Sequence, residues 1–185
     1  MSASSVMSLA VVSGFAAALI APLLTQGLRQ RAGWLLALLP VALFVYFLDF
    51  FPSVAAGETL AFSLPWLPRY GINLSFYVDG LSLLFALLIS GIGALVVLYA
   101  SGYLKGHQHL GRFFGFILAF MASMLGLVLA DNVVTLFVFW ELTSITSFLL
   151  IGFDHSREAA RRAAFQALTI TAMGGIVLLV GLLML

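Results

Sequence analysis

The sequence predicts an all-α fold: a polytopic membrane helix bundle of six transmembrane helices, with an external β-hairpin between helices 2 and 3. Three observations carry this prediction. Of the 185 residues, 63% are hydrophobic and only 8% charged, more apolar surface than a soluble domain of this size can hide. Six apolar runs come close to the roughly 20 residues a helix needs to cross a bilayer. Between the second and third of these runs, hydrophobicity alternates with period two instead of following a helical period.

The elements follow in order. The opening stretch, "MSASSVMSLAVVSGFAAALIAPLL", lacks the basic start of a signal peptide and is too long for its apolar core, so it reads as a first span near 6–25. The second span lies near 33–51. In "ETLAFSL", Leu60, Phe62 and Leu64 alternate with Thr59, Ala61 and Ser63. In "INLSFY", Ile72, Leu74 and Phe76 alternate with Asn73, Ser75 and Tyr77. Flanking "PWLPRYG", these runs read as a hairpin on the membrane surface, although an amphipathic loop would carry the same pattern. Spans three to six are placed near 79–101, 112–130, 133–153 and 163–185. Ser156 with Glu158 reads as the helix start before the sixth span. That span runs to Leu185 without a polar tail, which suggests a piece of a longer chain.

Basic residues predict the orientation. Arg29 and Arg31 lie between spans one and two, Lys105 and Arg112 between three and four, and Arg157, Arg161 and Arg162 between five and six. Seven of the eight Lys and Arg therefore fall on one side, with Arg69 alone opposite. The positive-inside rule puts those three loops in the cytoplasm and the N-terminus outside.

Few residues can carry chemistry. With no cysteine, there are no thiolate metal sites and no Cys nucleophile. No Gly-rich phosphate loop, nucleophile–base set or nucleic-acid-binding pattern is present, and no cofactor or metal is expected. Of seven acidic residues, six lie at span ends or in loops. Only Glu141 is deep, two residues, or about 3 Å, from the middle of its span. At 100° per residue Ser144 shares its face, whereas Thr143, Thr146 and Ser147 fall opposite. A helix polar on two faces is expected to be enclosed by neighbours.

Two readings of Glu141 follow. It is a proton-binding carboxyl whose affinity burial raises and a nearby ammonium lowers, or it is hydrogen-bonding glue between helices. Glue needs no carboxyl, since Ser, Thr or Asn would serve at lower desolvation cost. His155, in the loop after span five, is a speculative proton relay; His107 and His109 read as solvated loop residues. Gln166 and Thr169 share a face of span six and can line a hydrated path, while Gly174 and Gly175 allow close helix approach.

The stretches "FYVDGLSLLFALLISGIGALVVLYASGYL", "RFFGFILAFMASM" and "LGLVLADNVVTLFVFWELTSITSFLLIGF" resemble the antiporter-like subunits of Mrp-type sodium/proton antiporters, respiratory complex I and membrane-bound hydrogenases. The resemblance covers residues 60–185 and is most specific at "ADN" and "WEL". It implies that Glu141 is the proton carrier, paired with a Lys on a seventh helix, with Ser144 and Thr143 in support. No Lys follows Lys105, so that partner and its helix are not in this sequence. The wording "ELTS" and the uncharged "TAMGG" are similar to the Mrp form, in its A subunit; complex I subunits tend to carry an Arg and an Asp in span six. Residues 1–185 are thereby expected to be the N-terminal transmembrane segment of a larger antiporter-like domain. The implied partners are the other subunits of a membrane antiporter, Na⁺ and protons as transported ions, and the lipid of the inner (plasma) membrane. The competing implication is a proton-pumping subunit of complex I or a hydrogenase, driven by redox chemistry.

Overall fold

A computed structural model describes residues 3–28, 31–67, 69, 72–107 and 109–184. Arg29 and parts of "PWLPRYG" lie outside the described residues. The order of elements is α1 (Ala3–Leu28), α2 (Arg31–Leu48), a short α3 (Phe51–Ala55), β1 (Leu60–Leu67), β2 (Ile72–Val78), α4 (Gly80–Tyr103), α5 (Leu110–Val128), α6 (Val133–Ile151) and α7 (Glu158–Leu183). Among the described residues, six helices are long and apolar enough to cross a membrane, and they match the six predicted spans. The expected boundaries hold to within three residues, except where α7 begins five residues early.

The early start of α7 has a local cause. Arg162 donates to the Glu158 carboxylate at 2.6 Å, one helical turn apart, which holds the first polar turn in helical form. Ser156 is not its cap: Arg157 occupies that position without a side-chain cap, and the Ser156 hydroxyl donates instead to Asp154 at 2.6 Å. The unanticipated α3 begins after a turn at 49–50, with Pro52 in its first turn, where a missing N–H costs nothing.

Small residues set the helix contacts. A Cβ at Gly14 would meet Ala122, one at Gly115 would meet the Ala18 carbonyl at 2.9 Å, and one at Gly111 would meet Pro22 and Thr25. Gly14, Ala18 and Pro22 form one stripe of α1 at four-residue spacing, laid antiparallel on α5, the close approach that lets backbones pack without a bulky seam. Aromatic rings close the core beside it. Phe139 of α6 lies over Gly126 of α5 and packs against Phe15 and Phe76, with centroids 6.5 and 6.2 Å away.

The period-two segment is a hairpin. β1 and β2 pair antiparallel, with Leu60 opposite Val78, Phe62 opposite Phe76 and Leu64 opposite Leu74. Phe62, Phe76 and Val78 turn into the core. The loop between α5 and α6 then adds to the outer edge of β2. The Tyr77 N–H donates to the Leu129 carbonyl at 2.8 Å and the Asp131 N–H to the Ser75 carbonyl at 3.1 Å, with a bridge between Phe76 and Ala130. Asn132 locks this junction from both sides. Its side-chain oxygen caps α6 by accepting the Thr135 N–H at 2.8 Å, and its amide donates to the Asn73 carbonyl at 3.0 Å and to Ser75 Oγ at 2.6 Å.

The hairpin ends at Asp79, which caps α4. Its carboxylate accepts the Ser82 N–H at 2.8 Å while its own N–H donates to Ser82 Oγ at 2.8 Å, a reciprocal capping box. The Ser82 N–H holds the Asp79 carboxyl below the ordinary carboxylate range. A lowered folded-state pKa contributes stability above the unfolded value and loses it as pH falls through the folded one.

Asn132 gives a clean separation of roles. Asn132→Asp keeps the α6 cap but loses both amide donors, whereas Asn132→Ala loses the cap as well, about 1 kcal/mol more. Hydrogen exchange should show the Tyr77 and Asp131 amides opening several-fold faster in both variants, with the first turn of α6 loosened only by Ala. Unchanged protection at Tyr77 in the Asp variant would mean that Asn132 does not hold the hairpin.

Candidate functional site: the Glu141 carboxyl and the basic end

α6 exposes different chemistry on opposite sides. Phe139 points into the core over Gly126, and Glu141, two residues and about 200° further round, points toward α7. The contact there is with Gly175: a Cβ at that position would run into the Glu141 carboxylate, and would lie 3.5 Å from the Trp140 indole nitrogen. Gly175 is buried, and Ala164 is the one other buried residue of α7. Ala164 packs against Gly152 at the far end of the same interface. Both pairs are spaced by eleven residues, close to three full turns on each helix. The antiparallel register of α6 on α7 therefore brings a residue without a side chain to the carboxyl.

The carboxyl is half-buried. Among the described residues it has no hydrogen-bond donor and no basic partner; the ion pair between Arg162 and Glu158 lies elsewhere, at the start of α7. The supporting roles expected of Ser144 and Thr143 are not seen as direct contacts. Both hydroxyls donate to the Trp140 carbonyl, at 3.3 and 2.7 Å, and Thr146 likewise donates to the Leu142 carbonyl at 2.7 Å. Hydroxyls within a helix commonly satisfy themselves this way, which spacing alone does not reveal.

The small pair of α7 also divides. Gly175 makes the contact, while a Cβ at Gly174 would meet nothing within 4 Å. Adjacent residues lie 100° apart, so only one of the two can face α6. Gln166 and Thr169 are exposed, and Gln166, nine residues before Gly175, lies half a turn away from the α6 side. The Thr169 hydroxyl donates to the Phe165 carbonyl at 2.8 Å. Neither residue reaches Glu141's side of α7.

At the opposite end from the hairpin, the three His come together, which their separation in sequence concealed. The rings of His107 and His109 are 6.0 Å apart, and those of His109 and His155 are 5.6 Å apart. His107 stays exposed, as expected of a loop residue, while its ring lies 5.0 Å from that of Phe153. Arg112 lies 3.4 Å from His155 Nδ1, and Arg161 donates to the His155 carbonyl at 2.6 Å. His155 follows Glu141 by fourteen residues, and the eleven to Gly152 alone span about 16 Å of helix. No direct proton transfer can bridge that distance. No group of three His, Asp or Glu among the described residues is arranged to hold a metal ion.

Comparison with known proteins shows the class to which this six-helix membrane unit, with its mid-span carboxyl and hairpin, belongs. Residues 66–114 match the family described as "NADH-Ubiquinone oxidoreductase (complex I), chain 5 N-terminus", and residues 130–185 match "NADH:quinone oxidoreductase/Mrp antiporter, TM". The chain belongs to this antiporter-like family. Within it, the chain is similar to the N-terminal portion of the A1 subunit of the Na(+)/H(+) antiporter of Staphylococcus aureus. The two are 45% identical over 98% of this chain and 23% of that protein. The chain thus spans about a quarter of the length of the curated relatives it matches. Among solved structures, the Mrp complex from Dietzia sp. superposes with a TM-score of 0.80 at 37% identity, over 95% of this chain and 19% of that one. An archaeal membrane-bound sulfane sulfur reductase shares the fold, with a TM-score of 0.75 at 21% identity over 95% of this chain and 36% of that one.

The glycine asymmetry is testable through the carboxyl itself. Gly175→Ala should leave helix packing intact, because the atom it meets ends a flexible side chain, but should displace the Glu141 carboxylate. Modification of Glu141 by a hydrophobic carbodiimide should then change several-fold, while Gly174→Ala leaves it unaltered. Equal behaviour of the two variants would contradict the α6–α7 register.

Proposed function

We propose that the chain is the N-terminal, proton-handling part of a multisubunit Na⁺/H⁺ antiporter driven by the proton motive force, seated in the plasma membrane beside the other subunits of that complex. The observation that carries this reading is the placement of Glu141. It is the one acidic residue in mid-span, half-buried at Gly175, and a carboxyl in that setting is costly to keep without a use. The 45% identity to a component of a Na(+)/H(+) antiporter favours antiport over redox-driven pumping.

In this mechanism Glu141 accepts a proton, holds it away from bulk water and releases it when a nearby positive charge moves. In low dielectric, a charge a few Å away shifts a carboxyl's affinity far more than at the surface. The resemblance assigns that charge to a Lys on a seventh helix, which would approach the flank that α7 leaves open. Ser144 and Thr143 act through the backbone, by drawing into hydrogen bonds the Trp140 carbonyl, which belongs to the peptide unit joined to Glu141. His155 serves as a relay only through intervening water, given its distance. Residues 1–185 then form the first six helices of a longer antiporter-like unit.

Glu141→Gln in the intact complex keeps size and hydrogen bonding but cannot ionise. Proton-coupled Na⁺ transport in vesicles, normalised to assembled complex, should fall at least about tenfold, with Glu141→Asp retaining part of it. Near wild-type exchange in the Gln variant would leave Glu141 as glue between helices.

The proposed orientation puts the basic loops in the cytoplasm and the N-terminus outside. Residues 1–185 contain no cysteine, so labelling is compared with the same complex lacking the replacement. In intact cells, Glu58→Cys should react with an impermeant thiol reagent and Ser156→Cys only with a permeant one. The reverse pattern would invert the topology.

A further inference from the structure

At the basic end, the beginnings of α5 and α7 and the end of α6 enclose a cavity of about 210 Å³, lined by Arg112, His155 and Arg161 on one side and by Phe116, Phe148 and Phe165 on the other. Its charge is unbalanced. Arg112 lies 3.4 Å from the His155 ring nitrogen and stacks 5.6 Å from the centre of the Phe116 ring. Arg161 donates to the backbone carbonyls of His155 and Ser156, at 2.6 and 3.4 Å. Neither guanidinium has a carboxylate partner among the described residues. The two nearby acids are engaged elsewhere: Glu158 by Arg162, and Asp154 by the Ser156 hydroxyl. Two cations and a His crowded together without an anion repel one another, and a bound anion would relieve that cost.

The apolar side of the cavity narrows what the anion is. Phe148 and Phe165 meet edge to face, 5.4 Å apart, and Phe165 is 61% exposed, on the turn where α7 leaves the polar loop and enters its apolar stretch. A free inorganic anion gains nothing from aromatic walls. A molecule with a phosphate head and an acyl tail matches both halves, and basic pockets between membrane helices characteristically take such lipids. We propose that this cavity is a binding site for an anionic phospholipid, its phosphate held by Arg112 and Arg161 beside His155 and its acyl chain laid along Phe148 and Phe165. This is independent of the role proposed for Glu141.

The test uses the intact complex, with Phe165 replaced by the photocrosslinking amino acid p-benzoylphenylalanine, reconstituted in vesicles of phosphatidylcholine with a minority of phosphatidylglycerol. Mass spectrometry of the lipid adducts should find phosphatidylglycerol enriched at least about fivefold over its share of the bilayer. Arg112→Gln with Arg161→Gln should return the adducts to the bulk ratio, and Arg112→Lys with Arg161→Lys should preserve much of the enrichment. Added inorganic phosphate should not compete. Three results would overturn the proposal: adducts at the bulk ratio in the otherwise wild-type complex, adducts to protein alone, or enrichment erased by inorganic phosphate, which would make the site one for a free anion.

Discussion

The rotation of α6 about its own axis is the constraint on which the rest depends. It is fixed from both sides by residues that have no side chain. Gly126 of α5 receives the Phe139 ring, and Gly175 of α7 receives the Glu141 carboxylate. Because the two side chains lie about 200° apart, one rotation of α6 brings each of them to a glycine. The mid-span carboxyl is thereby aimed away from the aromatic core and toward the one helix that is otherwise barely packed.

The two ends of the bundle make that rotation durable in different ways. At the hairpin end, Asn132 caps α6 and ties it to β2, so the entry of α6 is held by directional hydrogen bonds. At the basic end, Gly152 packs on Ala164, and His109 and Arg112 converge on His155. The first end holds Asp49, Glu58, Asp79 and Asp131 against Arg69. The second carries the clustered His rings with Arg112 and Arg161. Glu141 lies between them, on a helix whose hydroxyls are bound to their own backbone.

Much of this was legible in the sequence, for physical reasons. The bilayer imposes a length, so all six spans stood out. The pleat imposes a period of two, so the hairpin did too, down to the inward set that includes Phe62 and Phe76. Glu141 was conspicuous because a lone carboxyl in an apolar run is costly. What escaped was whatever depends on the register between helices. Nothing in "MGG" says which glycine meets α6, and nothing in two loops 43 residues apart says that Arg112 will meet His155. Ser156 looked like a cap because its residue type favours one, but Asp154 took its hydroxyl first. The sequence does carry one signal for this junction: Asn132 three residues before Thr135 has the spacing of a helix cap, and it docks the hairpin.

The central claim is that Glu141 changes protonation in the membrane, and the most direct measurement is difference infrared spectroscopy on the intact complex as a proton gradient is imposed. A carboxylic-acid band that is lost in Glu141→Gln should rise or fall with the gradient in the wild type. A Glu141 carboxyl that keeps one protonation state throughout would contradict the account.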